Sequence, residues 1–427
     1  MLRPQTKISI PKIILTIILI ISAELIYSQN KIIITPNDNL SEVIQKATDG
    51  DEYIIMPGTY KVDNLKINKS ISLIGENYPI IQGNKKDEVI TVSANNVRIK
   101  GLVVKGAGIS FLKENAAVKI DEAGNCVIEN NILKDNFFGI YLAKSFNCVI
   151  KNNHIEAYTK TETNSGNGIH LWYSKGITIQ NNQIIGHRDG IYFEFVMHSL
   201  IKNNYSKNNL RYGLHFMFSD SCSYFDNTFV SNGAGVAVMY TKNITMKGNH
   251  FINNWGAASF GVLLKDLTDC LIEQNYFNKN TNGLYLEGCS RITVRRNNFI
   301  SNGWGIKLMA NSMNNYFIDN NFISNSFDVL TNSKNSFNIF EKNYWSKNNG
   351  YDLDKDGFAD VPYRPVKMFS VLVERQQASM IFLHSLFIEL LNVTESIVPS
   401  LTPINLIDEK PRMKEIRIEK RAGRYNK

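Results

Sequence analysis

The 427-residue chain lacks the patterns that would announce most chemistries. Its five cysteines form no CxxC pair and no Cys/His zinc spacing, which argues against a structural zinc site. It has no nucleophile triad and no phosphate-cradling glycine loop of the usual spacing. No apolar run spans a bilayer comfortably: residues 13–23 are too few, and 371–393 are interrupted by His384 and Glu389. The middle of the chain also lacks net charge. The formal +8 comes from the two ends, +2 from residues 1–28 (three basic residues against Glu24) and +6 from 410–427 (eight against Glu415 and Glu419). A neutral body has no basic groove for nucleic acid.

What is present begins with an exported protein. Arg3, Lys7 and Lys12 precede the apolar run, and Ser28 offers a small residue for cleavage, so residues 1–28 read as a signal peptide. No cysteine follows that run, so a lipid anchor is not indicated. With 43% hydrophobic residues, the mature chain can bury a large core.

The organisation is a repeat. Asn131, Asn153, Asn182, Asn204, Asn227, Asn249, Asn275, Asn297, Asn320 and Asn343 each follow a short apolar strand, mostly 22 or 23 residues apart. A second strand opens on glycine after each of the first eight, as in "GIYLA", "GIHLW", "GIYFE", "GLHFM" and "GVAVM". Two or three short strands per 22 residues make one coil of a right-handed parallel β-helix, and coils must stack to bury their apolar faces. The longer intervals, 29 and 26, place inserted loops at 155–168 and around 254–261. Cys126, Cys148, Cys222 and Cys270 fall five residues before an anchor and are expected inside the coils, with Cys289 in a turn.

The predicted domains are a signal peptide (1–28), a β-helix (29–370) and a C-terminal arm (371–427) made of an amphipathic helix and a basic tail. On that helix Met380, Leu383, Phe387, Leu390 and Leu391 share an apolar face, which either caps the solenoid or docks a partner. Near the end of the β-helix, Asp352, Asp354, Asp356 and Gly357 form D-x-D-x-D-G, with Asp360 four positions on. The spacing can curl carboxylates around calcium, although Tyr363 replaces the glutamate of an EF-hand; an Asp/Gly-rich turn is the plainer reading.

Strand alternation isolates an outward face. In "NLRYGLHFMFSD", residues 209–220, Leu214, Phe216 and Phe218 should face the core while His215 and Met217 face outward. Stacking places Glu194, Met217 and Met239 in one column, with His215 beside Met217 and His170 two coils below. Met197 and His198 occupy the following bend. Thioether with imidazole is the ligand set of copper(I), and an open surface suits a site that passes metal on. Two rivals stand against this. The C-terminal helix could cover the face, leaving these residues merely packed. Alternatively, the chain could be a carbohydrate-active β-helix enzyme, but Glu194 and Glu287 lie four coils apart, too far for an acid/base pair.

The strings "NLRYGLHFMFSD", "NGAGVAVMYTKNIT", "GNGIHLWYSKGITIQNN", "NYWS" and "GYDLDKDGFADVPYRP", with "PSLTP" further on, resemble the NosD family over about residues 30–410. The resemblance implies a periplasmic, non-enzymatic factor that helps mature the copper–sulfide cluster of nitrous-oxide reductase. It implies as partners a membrane ABC transporter (permease and ATPase), a copper-chaperone lipoprotein and the apo-reductase, with membrane association through the transporter. It does not assign the metal ligands, which rest on the alternation argument.

Overall fold

A computed structural model describes residues 30–110, 112–158, 161–333, 337–383, 385–398 and 406–418. The expected signal peptide, the "PSLTP" string and the end of the basic tail lie outside the described residues. The chain winds into a right-handed parallel β-helix of about 13 coils. Three sheets of 14, 12 and 13 strands run its length, each strand pairing in parallel with its equivalents one coil before and one coil after.

The asparagine anchors form the predicted ladder. In each rung the amide oxygen accepts two bonds from the anchor below it. Thus Asn182 donates its backbone N–H and its Nδ2 to Asn204 Oδ1, at 2.9 and 3.0 Å. Its Nδ2 also reaches the Ile150 carbonyl of the preceding coil, at 2.9 Å. Polar groups at a buried corner are thereby satisfied without water. The doublets in "ENN", "KNN" and "QNN" have a physical basis: the first residue makes the corner in the left-handed region (φ 55° at Asn130, 56° at Asn152 and Asn181), and the second builds the ladder. Asparagine suits both tasks.

Inside the coils, Phe229, Phe251, Phe277, Phe299, Phe322 and Trp345 stack in one file with centroids 4.1–5.6 Å apart. All five cysteines are buried and free, as an inward position requires.

Both ends of the solenoid are closed. At the start, helix α1 (Leu40–Gln45), capped by Asn39, buries Leu40 and Ile44. At the far end the structure divides the 371–427 arm in two. Residues 406–416 return to the last coil and complete it. Asp408, fully buried, takes the next rung of the ladder by accepting from the Asn343 backbone N–H and Nδ2 and from Trp345 Nε1, each at 3.0 Å. Arg412 pairs with Asp319, and Ile416 exchanges two hydrogen bonds with the Asn321 side chain. The first part of the basic tail is thus part of the fold.

Between the last coil and this closing segment lies a helical excursion. The single amphipathic helix expected over 371–393 is instead helix α2 (Met368–Arg375), a 3-10 stretch and helix α3 (Leu386–Ile397). Phe369, Val373 and Ile388 pack on Trp304, Phe327 and Leu330 of the second sheet's outer face, with Leu383 and Leu391 beside them. Met380, Phe387 and Leu390 do not share that buried face and are exposed. The reason is that a 3-10 stretch, Gln377–Phe382, separates the two helices, so the residues before and after it do not keep one α-helical face.

Candidate functional site

The column lies on the second sheet as alternation requires. Trp172, Glu194, Met217, Met239, Lys265 and Glu287 are in register on successive strands, and so are His170, Tyr192, His215 and Ala237. Glu194, Met217 and Met239 are half-buried. The helical excursion covers coils from Trp304 onward and does not reach these rungs, so it is not what packs on them.

Two expectations about this face are corrected. Phe218 is not a core residue: the strand ends at Met217, Phe218 adopts φ 50°, and its ring is 42% exposed. It stacks between Phe195 at 5.2 Å and Tyr240 at 5.0 Å, in a ladder that Tyr173 extends. The left-handed corner ends the alternation one residue early. Nor is the surface open at His215, which is only 4% exposed. Tyr192 and Tyr212 flank its ring, with centroids at 4.9 and 4.7 Å.

Burial determines the charge state of this imidazole. Desolvation, aided by the Arg211 and Arg188 charges, pushes His215 down to about 4. It is therefore neutral at physiological pH, the form in which imidazole binds metals. His170 is pushed down to about 3, chiefly by desolvation with a contribution from Arg188, and its Nδ1 lies 3.1 Å from the Asn167 amide nitrogen. The Met217 thioether accepts a hydrogen bond from the Tyr192 hydroxyl at 3.6 Å. His170, with Tyr192 between it and His215, belongs to the aromatic stack more than to the thioether pair. Met197 and His198 are exposed on the bend beyond Glu194, where the backbone has turned off the sheet (φ 50° at His198).

Sequence reasoning missed Asp189. It precedes Gly190, at the one place in the repeat where a Gly-led strand is preceded by a charged residue; the others there are Phe138, Asn167, Tyr212, Ala234, Phe260, Asn282 and Trp304. That break in the pattern was the available signal. Asp189 is fully buried, and its Oδ2 lies 4.0 Å from His215 Nδ1.

The acidic loop is built differently. Asp352, Asp354 and Asp356 bring carboxylate oxygens within 4.8 Å of one another. Those oxygens also accept from the loop's own amides, Asp356 and Gly357 onto Asp352 and Phe358 onto Asp356. Asp360 is turned to the Leu353 N–H at 2.7 Å and does not join them. Glu287, the distant carboxylate of the outer column, is paired with Lys265 at 3.5 Å.

Fold and site together define a class: a parallel β-helix with half-buried thioethers on one outward face and a buried, neutral imidazole beside them. The comparisons with known proteins narrow it. The family model of NosD, described as a periplasmic copper-binding protein, matches residues 154–355. The probable ABC transporter binding protein NosD of Pseudomonas aeruginosa is 26% identical over 386 residues, covering 86% of this chain and 89% of that one. Its namesake from Stutzerimonas stutzeri is 24% identical over the same share of this chain and 88% of its own. The chain is thus similar to NosD proteins over most of its length, and the NosD model matches its central coils. Among solved structures, the Dettilon tailspike protein (TM-score 0.59, 16% identity, 71% of this chain and 69% of that) shares the fold. So does the A-module of the mannuronan C-5 epimerase AlgE6 from Azotobacter vinelandii (0.57, 14%, 70% and 93%).

Proposed function

We propose that this is a periplasmic accessory protein, not an enzyme, that carries copper(I) on the outward column and serves maturation of the nitrous-oxide reductase cluster while docked on an ABC transporter. The observation that carries it is the placement of Met217 and Met239 on adjacent rungs with neutral His215 beside them. Soft thioethers and a neutral imidazole favour copper(I) over hard cations. Glu194 borders the pair, and His170, Met197 and His198 are peripheral to it. The family description as copper-binding and the relatives' names as ABC transporter binding proteins support the reading. The lipoprotein chaperone and the reductase enter as partners through the family resemblance.

The excursion supplies a docking surface for the transporter. Leu386, Leu390, Val393 and Ile397 recur at helical spacing on α3 and are all exposed, with Ile381 and Phe382 alongside. An apolar stripe on an otherwise folded surface marks a partner.

The test is a copper(I) competition titration of the mature protein and of His215→Ala, Met217→Ala and Met239→Ala. Stoichiometric binding weakened by each change supports the column. Unchanged binding in all three removes it and leaves a docking scaffold whose copper is held by its partners.

A further inference from the structure

Buried polar groups nearly always find partners, so a cluster without them calls for an explanation. Asp189 Oδ2, both ring nitrogens of His215 and Arg188 Nε are all buried and unpartnered. The other Asp189 oxygen accepts from the Tyr212 N–H at 3.2 Å, which fixes the carboxylate beside the imidazole. Arg188 Nε stands 3.7 Å from Oδ2, beyond a hydrogen bond. Arg211 is turned elsewhere, its guanidinium over the Tyr212 ring at 5.1 Å and 3.9 Å from Glu162 on the inserted loop. Arg188 is thus ion-paired with Asp189 without hydrogen-bonding it, and the carboxylate oxygen keeps its hydrogen-bonding capacity free.

We propose that Asp189 is a positioning residue for the metal site: it accepts the Nδ1–H of His215, so that Nε2 is left as the ligand nitrogen. This rests on the copper reading above. The present 4.0 Å separation is about an ångström longer than a hydrogen bond, so the inference requires the imidazole and the carboxylate to approach by that much when the site is filled. A cation on Nε2 draws electron density from the ring, makes Nδ1–H a better donor and strengthens the pair. Carboxylates behind metal-bound histidines act in this way, and their loss weakens metal binding about 10–100-fold. The position also accounts for a carboxylate kept, at a cost, in a buried place where the repeat elsewhere uses uncharged residues.

The decisive experiment introduces Asp189→Asn into the full mature chain and into His215→Ala, and measures copper(I) affinity by chelator competition. Affinity should fall about 10–100-fold in the first background and no further in the second. An equal fall in both makes Asp189 a structural residue and overturns the inference, as does no fall in the first. The metal-free protein, labelled with 15N-histidine, gives an independent readout. His215 should carry its proton on Nδ1, and Asp189→Asn should shift it toward Nε2. An Nε2–H tautomer in the wild type overturns the inference whatever copper does. Absence of copper binding to a wild type with the Nδ1–H tautomer overturns the copper reading alone.

Discussion

The Tyr192 hydroxyl donates to the Met217 sulfur at 3.6 Å from one coil below, so the thioether is engaged by its own neighbour before any metal arrives. That hydrogen bond occupies one lone pair of the sulfur and lowers its donor strength toward a copper ion at Met217. Tyr192→Phe removes it while keeping the ring against His215. The variant should bind copper(I) about three- to tenfold more tightly, corresponding to one modest hydrogen bond. Competition titration checks this, and unchanged or weaker affinity would show that the hydroxyl helps the site instead.

Asp408 closes the ladder, so its loss should be felt by the whole molecule. Asp408→Ala leaves the Asn343 N–H, the Asn343 side-chain amide and Trp345 Nε1 without their acceptor. Urea denaturation should show a loss of at least about 2 kcal/mol, with a smaller loss for Asp408→Asn, which keeps an acceptor oxygen. A chain ending before residue 406 should be destabilised in the same way. Removing 371–427 to test docking therefore confounds two effects, and point changes on α3 are the cleaner tool.

Leu390→Glu and Val393→Glu are such changes. Both side chains are exposed, so thermal stability should stay within about 0.5 kcal/mol of wild type. Co-purification with the transporter should be lost. Retained association would move the docking surface elsewhere.

His187 gives the protein an acid sensitivity. It stands five residues after Asn182, where the following coils carry Asn209, Asn232 and Asn254 in a ladder of their own; its backbone N–H still donates to Asn209 Oδ1 at 3.0 Å, and its buried ring makes no hydrogen bond. Desolvation pushes it down to about 4. Between about pH 6.5 and 4 the unfolded chain binds this proton and the folded chain does not, so stability falls as the pH falls, by up to about 1.4 kcal/mol per pH unit. His187→Asn should move the acid-unfolding midpoint, followed by circular dichroism, to lower pH. An unmoved midpoint assigns acid unfolding to other groups.

The repeat was legible because the fold imposes the same demand on every coil. A buried left-handed corner followed by a ladder rung selects Asn at Asn131, at Asn204 and at Asn343 alike, so ten positions report one geometry. The pairing of Met217 with Met239 followed from that period alone. The exposure of His215 did not, because the residues that hide it include Tyr192, 23 positions away, whose ring direction no alternation rule gives. Phe218 was misread because a strand's last residue is fixed by where the corner falls. Asp408 was invisible for the opposite reason: it completes the ladder from a segment that carries no repeat, 65 residues beyond Asn343.

A parallel β-helix is also a ruler. Met239 and Lys307, the latter paired with Glu374 of α2 at 3.4 Å, stand three coils apart on the same face. Each coil advances about 4.8 Å, so the thioethers sit about 14 Å along the axis from the excursion's edge. A partner gripping the excursion would have the thioether column within reach of its flank. That reach is set in whole coils: removing one repeat would shorten it by one step while leaving both surfaces chemically intact.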